Sequence, residues 1–127
     1  MKFKFQNGLI WISVTIIYER NPIQIDNCVV DTGSATTAID IDQIEINYLK
    51  PSKLKRLFGI GGGTQEVICQ NVDALKIGEI VIPEVELEFG DLQGRLGING
   101  FIGNDILCKF NLHIEYKSKN LKLITPY

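Results

Sequence analysis

Runs of β-branched and aromatic residues mark strands along most of this chain, with apolar and polar positions alternating in the later ones, and a helical pattern is expected only in short stretches. Leu9 to Tyr18, rich in Ile, Val, Thr, Trp and Tyr, predicts a strand. Glu19-Arg20-Asn21-Pro22 reads as a turn, and Ile23 to Val30 returns as a second strand that stops at Asp31. Ala35 to Ile41 predicts a further strand, and Asp42 to Leu57 is where a short helix is expected, with Pro51-Ser52-Lys53 as its opening turn. Phe58 through Val67 sets Gly59-Ile60-Gly61-Gly62-Gly63 between apolar residues, which reads as a mobile hairpin tip. Gln70 to Ile77 alternates, Gly78-Glu79 turns, and Ile80-Val81-Ile82 and Val85 to Phe89 give two strand pieces around Pro83. In the second piece Glu84, Glu86 and Glu88 alternate with Val85, Leu87 and Phe89, so the glutamates mark a wet face. Gly90 to Gly103 is rich in loop residues, Asp105 to Lys109 predicts a short helix carrying Ile106, Leu107 and Phe110 inward, and Asn111 to Tyr116 with Leu121 to Ile124 makes a closing hairpin.

One stretch breaks the alternation with chemistry. In Cys28-Val29-Val30-Asp31-Thr32-Gly33-Ser34 an apolar run drives into a carboxylate, followed at once by hydroxyl, glycine and hydroxyl. The run reads as the end of a buried strand and Thr-Gly-Ser as a tight turn, so Asp31 should sit where core meets loop. A charge there must be hydrogen-bonded, paired or partly protonated, because desolvation penalises the ionised form. Asp-Thr-Gly is also an ordinary β-turn sequence, and what adds to it is company in a fixed order: the glycine cluster at mid-chain and Gly100-Phe101-Ile102-Gly103 near the end.

Composition narrows the function classes. A chain of 127 residues suits a single domain over residues 1–127 with its own core, and 45% hydrophobic with 22% charged residues is the balance of an ordinary globular protein. A net charge of −2 gives no footprint for nucleic acid, and the cluster Lys50, Lys53, Lys55 and Arg56 reads as a solvated face. Cys28, Cys69 and Cys108 lie among apolar neighbours at wide spacing and are expected as buried free thiols in a reducing compartment, the cytoplasm. With His113 the only histidine and no Cys-x-x-Cys pair, neither a zinc site nor a cysteine–histidine nucleophile is expected; no metal and no cofactor is predicted. The glycine cluster lacks the Gly-Lys-Ser/Thr ending of a phosphate-binding loop. The N-terminus lacks the apolar run of a signal peptide, and Leu9 to Ile17 is too short to span a bilayer, so no membrane partner is expected.

The ordered set Val29-Val30-Asp31-Thr32-Gly33-Ser34, the region of Gly59 to Gln65, and Phe101-Ile102-Gly103 resembles the retropepsin-like aspartic proteases, the single-lobed relatives of pepsin. The resemblance spans about residues 10 to 125 and implies an all-β fold, a closed barrel or sandwich of short strands with one short helix, a flap hairpin and a two-fold homodimer. It implies an aspartic endopeptidase acting on polypeptides. Amide hydrolysis by carboxylates needs two of them, one ionised to take a proton from water and one protonated to polarise the carbonyl, as is general for aspartic proteases. With one Asp-Thr-Gly per chain, the second carboxylate would come from an identical chain.

On this resemblance Asp31 is catalytic, Thr32 bonds across the two-fold axis, Gly33 gives close backbone approach, and the Ser34 hydroxyl bonds the outer oxygen of Asp31. Ile60, Gly61 and Gly62 would contact substrate from the flap, with Phe101 and Ile102 in apolar pockets beside the dyad. Retroviral members carry an acid and an arginine where this chain has Ala35 and Asn104, so a different support for the loop is expected. The competing reading is a module of the same fold that binds peptides or dimerises without cutting. A third is self-processing alone.

Overall fold

In a computed structural model the described residues are 1–58, 64–92 and 97–126. Among the described residues are ten strands: β1 (Lys4–Gln6), β2 (Leu9–Tyr18), β3 (Asn21–Val30), β4 (Ala38–Asp40), β5 (Lys53–Phe58), β6 (Thr64–Ile77), β7 (Ile80–Gly90), β8 (Gly100–Ile102), β9 (Asn111–Glu115) and β10 (Asn120–Ile124). A 3₁₀ turn at Ile41–Gln43 and a single helical turn, α1 (Asn104–Leu107), complete the described elements. The all-β expectation holds. Eight strands form one sheet in the order β1-β2-β3-β8-β4-β7-β6-β5. Thr15, Ile16 and Ile17 of β2 also pair with Lys76, Leu75 and Ala74 of β6, so the sheet closes on itself.

The β2–β3 connection is tighter than the sequence suggests. Tyr18 pairs with Asn21, leaving Glu19 and Arg20 as the two turn residues, both left-handed at φ 48° and 70°. Two left-handed central residues give the hairpin turn whose twist matches the flanking strands. Asn21 and Pro22 therefore belong to β3.

A bulge in β3 sets the direction of Asp31. Ile12 pairs with Cys28 but Val14 pairs with Ile25, so Ser13 faces two residues, Asp26 and Asn27, and Asn27 is left-handed at φ 56°. One extra residue in a strand exchanges the faces of everything beyond it. Ile25 and Cys28 both point into the core and are fully buried, whereas without the bulge Ile25, Val29 and Asp31 would share that face. Beyond the bulge Val29 instead lies in register with Trp11 and Phe101, and Asp31 follows in the same phase, away from the core.

The core gathers Ile12, Ile16, Ile25, Ile39, Leu75, Leu87, Phe89, Ile102 and Ile106. A buried polar clasp ties in the segment after the 3₁₀ turn. Tyr18 Oη donates to Gln70 Oε1 at 2.6 Å and accepts from Asn47 N at 2.9 Å, while Gln70 Nε2 donates to Asn47 O at 3.0 Å. The helix expected within Asp42 to Leu57 is replaced by that 3₁₀ turn and by β5, whose six residues pair with β6. Cross-strand pairing outweighs the local helix signal there. The closing hairpin is present as β9–β10, and the first residues zip onto it, with Phe3 N donating to Lys119 O at 3.0 Å and Leu121 N to Met1 O at 2.8 Å.

Candidate active site

Strand β8 lies between β3 and β4, parallel to the first and antiparallel to the second. This insertion brings Gly103 under the loop that follows β3. Asp31 N continues the β3–β8 ladder by donating to Ile102 O at 2.9 Å, and Ser34 N closes the turn onto Asp31 O at 3.2 Å. Gly33 N donates to Asp31 Oδ1 at 3.0 Å, which fixes a carboxylate that remains half-exposed. The sequence expectation of a carboxylate at the boundary of core and loop is met.

The loop is braced from beneath by the chain after β8. Asn104 Nδ2 donates to Thr32 O at 2.7 Å, Asn104 N to Ser34 O at 2.8 Å and Asp105 N to Ala35 O at 3.2 Å. The Asp105 carboxylate accepts from Thr37 N at 3.1 Å and Thr37 Oγ1 at 2.7 Å, and Thr37 Oγ1 accepts from Gly103 N at 2.9 Å. Only glycine fits at 103. A Cβ there would lie 2.2 Å from Thr36 O and 2.9 Å from Ser34 O, both backbone atoms. The support that retroviral members draw from an acid and an arginine is here carried by a neutral amide, Asn104, and by the Asp105–Thr37 pair.

A second brace comes from β7. Glu88 of β7 is buried, contrary to the wet face expected from alternation. Thr36 Oγ1 donates to its Oε1 at 2.8 Å, and Lys55 Nζ of β5 lies 2.9 Å from its Oε2. Hydrogen bonding and the charge of Glu88 hold the Lys55 ammonium above its ordinary pKa. Glu88 carries no sequence signal beyond the strand pattern, Lys55 none beyond a charged cluster expected as a solvated face, and Asp105 only its place beside Gly103-Asn104.

Two of the expected roles change. The Ser34 hydroxyl donates to Thr36 O at 2.8 Å within the loop, so in this chain its bond is spent there and not on Asp31. Ile102 is fully buried in the core, packing beneath the loop, so its side chain lines no pocket, while Phe101 in register with Val29 is half-exposed. Thr32 and Gly33 are exposed. Ile60, Gly61 and Gly62 lie outside the described residues; β5 and β6 flank them, with Phe58 paired to Thr64.

Other chemistry is placed away from Asp31. His113 is exposed on β9, 3.5 Å from Glu115 Oε2. Cys28 is buried, and burial with the nearby Asp26 charge pushes its thiol up to about 12. Cys69 is buried and also shifted up, by desolvation first, whereas Cys108 is exposed, a correction to the expectation of three buried thiols. A shallow cavity of about 510 Å³ lined by Lys4, Trp11, Ser13 and Asp26 does not include Asp31. Hydrogen bonds from Gln24 and Ser13 hold the Asp26 carboxyl below its usual range. Among the described residues no group of three or more His, Cys, Asp and Glu side chains is arranged to hold a metal, and no helix is long and apolar enough to cross a membrane.

A family model described as aspartyl protease matches residues 18–106, more than half of the chain. No curated protein matches by sequence. Among solved structures, the fold is similar to a retropepsin-like aspartic protease from Rickettsia conorii, with TM-score 0.60 and 18% identity over 95% of this chain and 86% of that one. With Asp31-Thr32-Gly33 at the tip of β3 and the family match running from Tyr18 through Ile106, the chain belongs to the aspartyl protease family and has a retropepsin-like fold.

Proposed function

We propose that the chain is an aspartic endopeptidase whose dyad forms between two copies of Asp31 across a two-fold axis. The observation that carries this reading is a half-exposed carboxylate held by Gly33 N–H at 3.0 Å on a loop braced from two sides, in a chain with one such triplet. Fixing a reacting group before substrate arrives is how an enzyme avoids reorganising in the transition state.

In the dimer one Asp31 is ionised and takes a proton from a shared water, while its mate is protonated and polarises the scissile carbonyl. The water's oxygen adds to the carbonyl carbon; the proton then passes to the leaving nitrogen as the carbon–nitrogen bond breaks. Thr32, exposed at the loop tip, would bond across the axis. An extended polypeptide would lie against the half-exposed Phe101 and beneath Ile60, Gly61 and Gly62, exchanging main-chain hydrogen bonds as an added strand does. The exposed Cys108 thiol suits a reducing compartment such as the cytoplasm.

The test is cleavage of a denatured protein mixture by native protein and by Asp31→Asn over a range of pH, beside sedimentation at micromolar concentration. The expected result is cleavage by the native protein alone, from a dimer. Binding of peptides without cleavage by either protein, or a strict monomer, would favour the non-cutting module.

A further inference from the structure

Glu88 touches both the catalytic loop and strand β5, which leads into the glycine-rich hairpin, with one side chain. Its backbone lies opposite Ala38 in the β4–β7 register, and Glu88 N donates to Thr37 O at 3.2 Å. Its side chain is 6% exposed, with one carboxylate oxygen on Thr36 of the loop and the other on Lys55 of β5. Thr36 is in turn bonded inside the loop, since its carbonyl accepts from Ser34 Oγ at 2.8 Å. A continuous chain therefore runs from Lys55 through Glu88 and Thr36 to Ser34, whose N–H closes on Asp31 O.

A buried carboxylate needs partners for both oxygens, and removing one leaves a desolvated charge that must find another. If Lys55 moves with its strand, Glu88 must follow it or lose it, and following it loosens Thr36. The rest of the loop's bracing, through Gly103, Asn104 and Asp105, comes from the chain after β8 and does not involve β5. The Lys55–Glu88–Thr36 chain is thus a side-chain route by which the hairpin can act on the geometry of Asp31, beside the β6–β7 ladder.

We propose that Glu88 is a positioning residue for Asp31, coupling the placement of the β5–β6 hairpin to the catalytic loop through Lys55 and Thr36. This rests on the protease reading for its activity readout and is independent of it for its structural one. Its test uses the native protein, Lys55→Met, Thr36→Val and the double variant, with Lys55→Arg and Thr36→Ser as conservative controls. Each disruptive single variant is expected to lower kcat by about tenfold with a smaller change in KM, and the double to fall no further than the worse single, because both cut one chain. The conservative variants keep kcat within about threefold of native. Single variants at native kcat, or a double variant whose loss is the product of the two, would overturn the coupling.

Amide exchange gives the second readout. Lys55→Met is expected to speed exchange at the Gly33 and Ser34 N–H groups, which its side chain does not touch, by about tenfold. Unchanged exchange there would overturn the proposal even in a protein that cleaves. Should native protein and Asp31→Asn both fail to cleave, the protease reading falls, and the exchange result still decides the coupling.

Discussion

Replacing Gly103 by alanine tests whether the loop at Asp31 is held by backbone contact. The added Cβ would sit 2.2 Å from Thr36 O, 2.6 Å from Thr36 C and 2.9 Å from Ser34 O. None of these is a side chain that can rotate away, so β8 or the loop must shift by roughly 1 Å before the contact becomes tolerable. Overpacking of this kind costs about 1–3 kcal/mol. The shift also stretches the bonds from Gly103 N to Thr37 Oγ1, Asn104 N to Ser34 O and Asn104 Nδ2 to Thr32 O, each worth about 1 kcal/mol net. The expected loss is about 4 kcal/mol, or a fall in Tm of about 12 °C for a domain of this size. Gly8→Ala is the control: Gly8 has φ 74° with nothing within 4 Å of a Cβ, so only the left-handed backbone is penalised, by about 1 kcal/mol. Thermal and urea unfolding of both variants gives the comparison, and the folded fraction of Gly103→Ala should cleave about 100-fold more slowly, since a displacement near 1 Å at a reacting group has that effect. If Gly103→Ala unfolds with Gly8→Ala, the loop is not held as described.

Tyr18→Phe removes a hydroxyl that serves both Gln70 and Asn47 N, and should lower stability by about 2 kcal/mol in urea unfolding while leaving kcat unchanged, because the clasp lies away from Asp31. Ser34→Ala should lower stability by about 1 kcal/mol and leave the shape of the pH–activity profile as it is, the hydroxyl being spent on Thr36 O; a displaced optimum would mean that it turns to Asp31 in the working enzyme. Alkylation at pH 8 should label Cys108 rapidly in the native protein and Cys28 and Cys69 only on unfolding, since both are buried and Cys28, raised to about 12, is almost wholly a thiol at that pH.

Much of the fold was legible because strand period and turn chemistry act locally. Leu9 to Tyr18 is β2 residue for residue, the triplet Asp31-Thr32-Gly33 falls at the strand end where its apolar approach put it, and the helical turn and closing hairpin lie where expected. Three features depend on pairing that the sequence pattern does not display. Glu19 and Arg20 are not typical left-handed residues, so the two-residue turn was hidden until the strands on either side fixed it. Lys53 to Phe58 has no strong strand signal, and it is strand because β6 offers it a ladder. Glu88 has a surface residue's pattern, and its burial follows from Lys55, 33 residues away, and Thr36, 52 residues away. The bulge at Asp26 and Asn27 stands between these cases. The change of phase from Ile23 and Ile25 to Cys28 and Val30 is present in the sequence, but only the pairing with β2 shows that it turns Asp31 out of the core.

Subunit mixing tests the shared dyad most directly. Native protein is equilibrated with Asp31→Asn under conditions that allow exchange of subunits, and cleavage is measured at a constant amount of native chain. A dyad built from two chains predicts that an equal amount of variant halves the rate and a ninefold excess reduces it to about one tenth, as random pairing requires. A rate unchanged by the variant, with exchange confirmed by a label on one partner, would show that each chain cleaves with its own Asp31 alone.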